Sequence, residues 1–197
     1  MTWANRITIV RILLVPFFIY CVLSYIDDAE EVYRFLAIVA FAVAALSDGI
    51  DGYIARRYHQ KSELGAILDP LADKLLLVSG VVLLGFSHRE LARLPLWLVA
   101  TILSRDVLLL IGLIVIHYAV GKVAVRPHWT GKVATVLQMT SVLWALLKWE
   151  ANGLRWIVLG AGLFTAISGL IYIRDGVRLL GKSPHSNPVS ATPVERK

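Results

Sequence analysis

The sequence predicts an all-α integral membrane protein with six transmembrane helices. Of its 197 residues, 57% are apolar and 17% are charged, and the mean hydropathy is +0.69. A soluble domain has about 45–50% apolar and about 25% charged residues. Apolar runs close to the ~20 residues that cross a bilayer recur along the chain, and short loops separate them. These two observations together exclude an ordinary soluble domain.

Each apolar run is bounded by polar or proline-containing sequence. The predicted spans cover residues 7–26, 34–55, 66–86, 94–118, 133–149 and 154–173. The first could be mistaken for a signal peptide, but no small-residue cleavage site follows it and more spans come after it, so we expect a retained helix. The second has two aspartates, Asp48 and Asp51, near its end, and a short basic turn leads into the third. Pro95 lies at the start of the fourth, Lys132 opens the fifth, and a polar tail follows the sixth.

The chain is predicted to form one domain. Residues 1–175 make up the six-helix unit, and residues 176–197 form a polar, flexible cytoplasmic tail rich in Ser and Pro. The single cysteine, Cys21, lies inside the first span, so a disulfide framework is excluded. The net charge of +6 could suggest nucleic-acid binding. In a membrane protein, however, basic residues more often set the topology and contact anionic lipid.

Basic residues near the span ends predict the orientation. Twelve Lys and Arg residues lie on the side of both termini, and five lie on the opposite side. The larger set is Arg6, Arg56, Arg57, Lys61, Lys122, Arg126, Lys132, Arg174, Arg178, Lys182, Arg196 and Lys197. The smaller set is Arg34, Arg89, Arg93, Lys148 and Arg155. Because cytoplasmic loops are enriched in Lys and Arg, both termini are predicted to lie in the cytoplasm, with the protein in the inner membrane.

Four aspartates flank the turn between the second and third spans. Asp48 and Asp51 are three residues apart, and Asp69 and Asp73 are four apart, so each pair shares one face of a helix. An aspartate at the centre of a membrane helix costs about 2.5–3.5 kcal/mol on insertion scales. One aspartate could snorkel to water or cap a helix end, but four in paired register indicate a shared site. Carboxylates without accompanying Cys or His favour Mg²⁺ or Mn²⁺ over zinc.

The spacing of this segment carries a family resemblance. The pattern Asp48-x2-Asp51-Gly52-x2-Ala55-Arg56-x8-Gly65-x3-Asp69-x3-Asp73 resembles the signature of the CDP-alcohol phosphatidyltransferase family, with eight positions over 26 residues. The segment NRITIVR, which contains Asn5 and Thr8, is similar to one common in bacterial members. The resemblance covers roughly residues 4–175.

The distribution of basic residues predicts that the turn between the second and third spans, with its aspartates, faces the cytoplasm, and the resemblance implies that these aspartates form the active site. A phosphatidyl group would pass from CDP-diacylglycerol to an alcohol, with release of CMP. The four aspartates would surround one or two divalent ions, and Asp73 would also be the general base. Around the nucleotide, the resemblance implies six further residues: Asn5, Thr8, Gly52, Ala55, Arg56 and Gly65.

The fourth and fifth spans contain a second polar group. Arg105 and Asp106 are adjacent in LSRDVLL, and Lys132 opens HWTGKVATVLQ. Ionisable residues inside a membrane are functional candidates by default. The alternative is that Arg105 and Asp106 form structural ion pairs with neighbouring helices. In the family, a basic group at comparable places lines the acceptor pocket, so Arg105 and Lys132 are predicted to bind the acceptor's phosphate.

The acceptor stays open between two glycerol-type molecules. Phosphatidylglycerophosphate synthases of bacteria commonly have Arg-Glu in the fourth helix, whereas Arg105-Asp106 looks more like the cardiolipin synthases of the family. GKVATVLQ, in contrast, resembles a stretch of the members that use glycerol 3-phosphate. Both glycerol 3-phosphate and phosphatidylglycerol therefore remain candidates.

Two other classes of protein also place carboxylates inside a membrane. Intramembrane prenyltransferases use Asp-rich Mg²⁺ sites, but their motifs lie far apart in the chain. A cation transporter could use carboxylates, but transporters usually show internal repeats and broken helices, and the sequence has neither. The small residues Ala161, Thr165 and Gly169 could pack helices within a subunit or in a homodimer.

Overall fold

The structure is a computed structural model of the chain. It describes the backbone of residues 3–58, 63–87, 91–120 and 128–180. Side chains are described for residues 9–47, 72–87, 91–112, 114–115 and 128–178.

The described chain is all-helical, as predicted. Its helices are α1 (Trp3–Asp28), α2 (Glu31–Tyr58), α3 (Glu63–Phe86), α4 (Leu96–Val120), α5 (Trp129–Leu146) and α6 (Ala151–Leu180). Each corresponds to one predicted span, and most ends differ from the prediction by a few residues. Apolar runs therefore located the helices, because a helix in an apolar surrounding satisfies all of its backbone groups internally.

Two helix ends are closed by residues in the left-handed backbone region. Ala29 follows α1 with φ 58°, and its N–H donates to the Tyr25 carbonyl at 2.9 Å. Lys148 follows α5 with φ 55°, and its N–H donates to the Ala145 carbonyl at 3.2 Å. Glycine usually holds such positions. Here the chain reverses without it, and the short turns bring α1 beside α2 and α5 beside α6.

The last helix is longer than the predicted span. The sixth span was predicted to end at residue 173, but α6 continues to Leu180. At ~1.5 Å per residue, its 30 residues exceed the ~30 Å hydrocarbon core of a bilayer. A helix of this length is longer than such a layer is thick, and its last turns carry Arg174 and Arg178. Residues 181–197 of the predicted tail lie outside the described residues.

The bundle consists of two halves. In the first half, α1 packs on both α2 and α3, and in the second half α6 packs on both α4 and α5. Smaller contacts of α3 with α4 and α5, and of α2 with α5, join the halves. The apolar core between them includes Phe18, Phe41, Leu84, Leu98 and Val142. Phe18 and Phe41 pack with ring centroids 5.5 Å apart.

The outer faces of the helices are apolar. Large hydrophobic side chains are exposed on every helix; examples are Leu13, Phe35, Phe86, Leu110, Val136 and Leu163. Soluble proteins rarely expose contiguous apolar patches of more than a few hundred Å². Among the described residues, two ranges are long and apolar enough to span a membrane, Ile9–Asp28 and Ala151–Arg178. That all six helices cross the membrane stays a prediction.

Candidate active site

The four predicted metal ligands lie on two helices that contact each other. Asp48 and Asp51 belong to the C-terminal part of α2, and Asp69 and Asp73 to the first half of α3. The Asp73 side chain is partly buried, whereas the side chains of Asp48, Asp51 and Asp69 lie outside the described residues. Among the described side chains, no three metal-ligating residues come together. The four-carboxylate arrangement thus stays a prediction.

The predicted nucleotide-binding residues share this location. Gly52, Ala55 and Arg56 follow the aspartates on α2, Gly65 lies in the first turn of α3, and Asn5 and Thr8 lie on α1. Their side chains fall outside the described ones. Because α1 packs on both α2 and α3, the three helices that carry the family motifs are neighbours in the bundle.

Arg11 extends the α1 motif into the bundle. Its side chain is fully buried, although arginine is almost never fully buried unless it is paired. It follows Thr8 by three residues, which is close to one helical turn. The buried guanidinium therefore brings positive charge into the half of the bundle that carries the four aspartates.

Arg105 lies where three helices of the second half meet. Its Nη1 donates to Asp106 Oδ1 at 2.8 Å, and its Nη2 donates to Ser168 Oγ of α6 at 3.3 Å. The guanidinium carbon lies 5.9 Å from the centre of the Tyr172 ring. Gly131 of α5 makes room for it, since a Cβ there would be 3.0 Å from Arg105 Nη2. The side chain is 9% exposed, so this cation is held almost entirely inside the protein.

Lys74 brings a second cation to the same carboxylate. Its Nζ donates to Asp106 Oδ1 at 2.6 Å and to Oδ2 at 2.7 Å, from α3 to α4. We call Lys74, Arg105 and Asp106 the inner charge cluster. Sequence reasoning did not single out Lys74. The available signal was a lysine directly after a motif aspartate, inside a predicted span.

Lys132, the second predicted acceptor ligand, differs from Arg105 in burial. It is exposed and follows Gly131, where an added Cβ would lie 3.0 Å from Arg105 Nη2. The helix start before it is tied to α6, where His128 Nε2 lies 2.8 Å from Asp175 Oδ2. The structure therefore brings the α5 backbone beside Lys132 close to Arg105, and the Lys132 side chain itself faces outward.

The small-residue stripe of α6 is used inside the subunit. Ala161 and Thr165 are fully buried, and Gly169 packs against the side-chain carbons of Arg105. Gln138 Nε2 of α5 donates to Thr165 Oγ1 at 2.7 Å. Of the two predicted uses for this stripe, packing within the subunit is the one observed.

A second group of charges joins the two halves at the connections. Glu31 accepts from Lys148 Nζ at 3.3 Å and pairs with Arg34 on its own helix, and Arg34 also donates to the Leu146 carbonyl at 3.2 Å. We call Glu31, Arg34 and Lys148 the outer charge cluster. The Arg34 guanidinium, with Lys148, lowers the pKa of the Glu31 carboxyl below its ordinary value.

Apolar helices that expose hydrophobic side chains and bury charged ones define a helical membrane protein with a polar interior site. The comparisons with known proteins identify its family: the sequence model of the CDP-alcohol phosphatidyltransferases matches residues 1–168. The chain belongs to this family, as its motif predicted, and it is therefore a phosphatidyltransferase enzyme.

Similar curated proteins come from several bacteria. A protein of Mycobacterium tuberculosis named "Probable phosphatidylglycerophosphate synthase" is 35% identical over 182 residues, which cover 90% of this chain and 83% of that protein. The "CDP-diacylglycerol--glycerol-3-phosphate 3-phosphatidyltransferase" of Escherichia coli K12 is 35% identical over 148 residues, covering 74% of this chain and 76% of that protein. A Shigella flexneri protein of the same name has the same identity and coverage. Membership of the family argues against both the prenyltransferase and the transporter interpretations.

Proposed function

We propose that the enzyme transfers the phosphatidyl group of CDP-diacylglycerol to glycerol 3-phosphate, forming phosphatidylglycerophosphate and releasing CMP. The names of the similar proteins support this acceptor. The observation that carries the proposal is the buried Arg105, held by Asp106 and Ser168 and linked through Lys74 to the helix that carries Asp73. A fixed cation in a dry interior is suited to a small phosphorylated acceptor, since charge-assisted bonds to phosphate are strong there.

Asp48, Asp51, Asp69 and Asp73 would hold Mg²⁺ or Mn²⁺. The chemistry of the donor set fits a hard cation, because it consists of carboxylate oxygens on two contacting helices. The bound metal would neutralise charge on the donor's pyrophosphate. The nucleotide would lie beside Gly52, Ala55, Arg56 and Gly65, with Asn5 and Thr8 contributing from α1, and Arg56 would be near its phosphates.

Asp73 would act as the general base. It would accept the proton of the acceptor's hydroxyl as that oxygen attacks the phosphorus of the phosphatidyl group. A new phosphate ester bond would form, the pyrophosphate bond would break, and CMP would leave with the bridging oxygen. A base within reach of the acceptor hydroxyl typically contributes about 10²–10⁴-fold. The proton on Asp73 would then pass to water.

Arg105 and Lys132 would bind the acceptor's phosphate. Arg105 is buried and preorganised, whereas Lys132 is exposed and can reach an entering anion. The adjacent Asp106 is the feature that favours the second candidate acceptor, phosphatidylglycerol, whose product would be cardiolipin. Glycerol 3-phosphate carries about two charges on its phosphate and phosphatidylglycerol carries one, so two cations suit the former better.

We further propose that both termini face the cytoplasm and that the protein lies in the inner membrane. The excess of Lys and Arg on that side supports this orientation. The exposed apolar faces of the helices would contact lipid tails. The acyl chains of CDP-diacylglycerol could then stay in the bilayer while its nucleotide reaches the aspartates from the aqueous side.

The experiment is a CMP-release assay with purified enzyme, CDP-diacylglycerol and Mg²⁺, in which glycerol 3-phosphate and phosphatidylglycerol are offered in parallel. We expect CMP release with glycerol 3-phosphate, its loss in EDTA, and its return with Mg²⁺ or Mn²⁺. Release with phosphatidylglycerol alone would assign the cardiolipin reaction instead. Full activity after removal of all metal would contradict the four-aspartate site.

A further inference from the structure

The two cations of the inner charge cluster converge on one oxygen atom. Lys74 Nζ lies 2.6 Å and Arg105 Nη1 lies 2.8 Å from Asp106 Oδ1. The two nitrogens are therefore within two hydrogen-bond lengths of each other, although they come from different halves of the bundle. An anion with several oxygens, such as a phosphate, could be bound by both cations at once.

The inner charge cluster carries excess positive charge and has N–H groups that are not used within the cluster. One carboxylate faces two cations, so the described group is net positive. The ammonium of Lys74 has three N–H groups and gives two bonds to Asp106. The Nε of Arg105 is buried, and no described residue accepts its hydrogen bond. A buried donor without a partner is costly, which favours the arrival of an anion.

Lys74 is also next to the proposed base. Asp73 and Lys74 are consecutive residues of α3, so their Cα atoms are about 3.8 Å apart. Lys74 is directed toward α4, where it meets Asp106. In glycerol 3-phosphate, three carbons carry the hydroxyl at one end and the phosphate at the other. A base and a phosphate ligand for so small a molecule must be close together. Consecutive helix residues project about 100° apart, so Asp73 and Lys74 would approach such a molecule from different directions, one at its hydroxyl end and one at its phosphate.

We propose that Lys74 is a further cationic ligand of the acceptor's phosphate, beside Arg105, and that Asp106 is a positioning residue that holds the two cations together before the acceptor binds. This proposal rests on the proposed function, because it concerns the same acceptor. The Lys74 side chain is 37% exposed, so its remaining N–H is open to an entering molecule. On binding, the phosphate would share both cations with Asp106.

The test begins with Lys74→Met, which removes the charge and keeps much of the length. Its kcat and its KM values for CDP-diacylglycerol and for each of the two acceptors are compared with those of the wild type. We expect the KM of glycerol 3-phosphate to rise by about 10- to 150-fold, which is the range for loss of a hydrogen bond to a charged group. The KM of CDP-diacylglycerol should change by less than about 3-fold, and Lys74→Arg should recover most of the affinity, since either cation can bind phosphate.

A double variant separates ligand binding from simple neutralisation of Asp106. In Lys74→Met alone, Asp106 pairs only with Arg105 and neutralises its charge. This neutralisation would also weaken acceptor binding, even if Lys74 never contacts the phosphate. Lys74→Met with Asp106→Asn removes the pair together, leaves no unpaired carboxylate, and frees the charge of Arg105. The reference is Asp106→Asn alone, in which the charge of Arg105 is equally free but Lys74 is still present. If Lys74 contacts the phosphate, the acceptor KM of the double variant is higher than that of Asp106→Asn. Equal KM values in these two variants would overturn the proposal, since Lys74 would then serve only Asp106.

The outer charge cluster supplies the matched control. Lys148→Met removes a lysine that also joins the halves through a carboxylate, Glu31. It should leave the acceptor KM unchanged. If Arg105→Ala raises the acceptor KM and neither Lys74 variant does, the proposal is wrong and the proposed function stands. If Arg105→Ala and Lys132→Ala have no effect either, the acceptor site itself is assigned wrongly. The same KM measurements with phosphatidylglycerol show whether the phosphate bound by Lys74 is that of a lipid or that of free glycerol 3-phosphate.

Discussion

The inner and outer charge clusters have the same composition, one carboxylate with a lysine and an arginine, yet they differ in burial and contacts. Asp106 is 16% exposed and receives three hydrogen bonds of 2.6–2.8 Å from Lys74 and Arg105. Glu31 is 59% exposed, and its bond to Lys148 is 3.3 Å long. Both clusters join the two halves of the bundle. In the interior, charges are weakly screened, so each needs a partner of opposite charge. At the surface, water competes with each contact.

The comparison indicates that position, more than residue type, decides what a charged group does. Exposed ion pairs contribute about 0–1 kcal/mol, so the outer cluster is expected to align the connections and little more. Breaking a buried pair by removal of one partner costs about 3–5 kcal/mol. Taking the charges of the inner cluster out of water also costs several kcal/mol per ion, and the location of the cluster beside Asp73 gives a functional reason for this cost.

The largest expected effect is that of Asp73→Asn, beside the inner cluster. As the proposed base, Asp73 should account for a loss of turnover of about 10²–10⁴-fold, while binding of CDP-diacylglycerol stays measurable. Glu31→Gln is the matched change in the outer cluster and should keep normal turnover. CMP release measures both. Near-normal turnover of Asp73→Asn would move the base to another residue.

Next in size is Arg105→Ala. Loss of its bonds to the acceptor's phosphate should raise the acceptor KM by about 10- to 150-fold. Arg34→Ala, in the outer cluster, should leave that KM unchanged. Donor KM and Tm are measured on both proteins, because Asp106 and Ser168 also lose a partner in Arg105→Ala. If a stable Arg105→Ala protein has an unchanged acceptor KM, Arg105 matters no more for acceptor binding than Arg34 does, and the assignment of the inner cluster to the acceptor site is wrong.

A smaller effect is expected at Gly131. The Cβ of Gly131→Ala would lie 3.0 Å from Arg105 Nη2 and 3.3 Å from Ser168 Oγ, so the guanidinium must shift. A weakened hydrogen bond of this kind corresponds to a KM change of about 2- to 10-fold. Gly160→Ala is the control, because its Cβ would meet Leu137 at an ordinary 3.5 Å. Equal KM values for the two variants would show that the guanidinium position does not matter.

The smallest effect is a pH dependence of the outer cluster. The pKa of Glu31 is lowered in the folded protein from its ordinary value of 4.5, first of all by the hydrogen bond from Arg34. A carboxyl with a lowered folded pKa stabilises the fold above its unfolded pKa, and this stabilisation is lost as the pH falls through the folded value. The Tm of Glu31→Gln should therefore be slightly below the wild type at pH 7 and equal to it in acid. A Tm difference that grows in acid would contradict this sign.

Much of the fold was predictable from the order of residues alone. Apolar runs located all six helices, because each helix satisfies its own backbone and needs only local sequence to form. The family motif was also readable, since its eight positions lie within 26 residues and each of its two aspartate pairs follows helical spacing. The extent of α6 was underestimated, because Arg174 and Asp175 look like the start of a tail although a helix can continue past the apolar layer.

Contacts between distant residues were decided only by the tertiary structure. Lys74 meets Asp106 across 32 residues, and Arg105 meets Ser168 across 63. No periodic pattern marks such partners, because they depend on how helices lie against one another. The same holds for Ala161, Thr165 and Gly169, whose spacing suits packing within or between subunits equally well. Local order of the chain thus determined the helices and the motif, and packing of the two halves determined which charges share an oxygen.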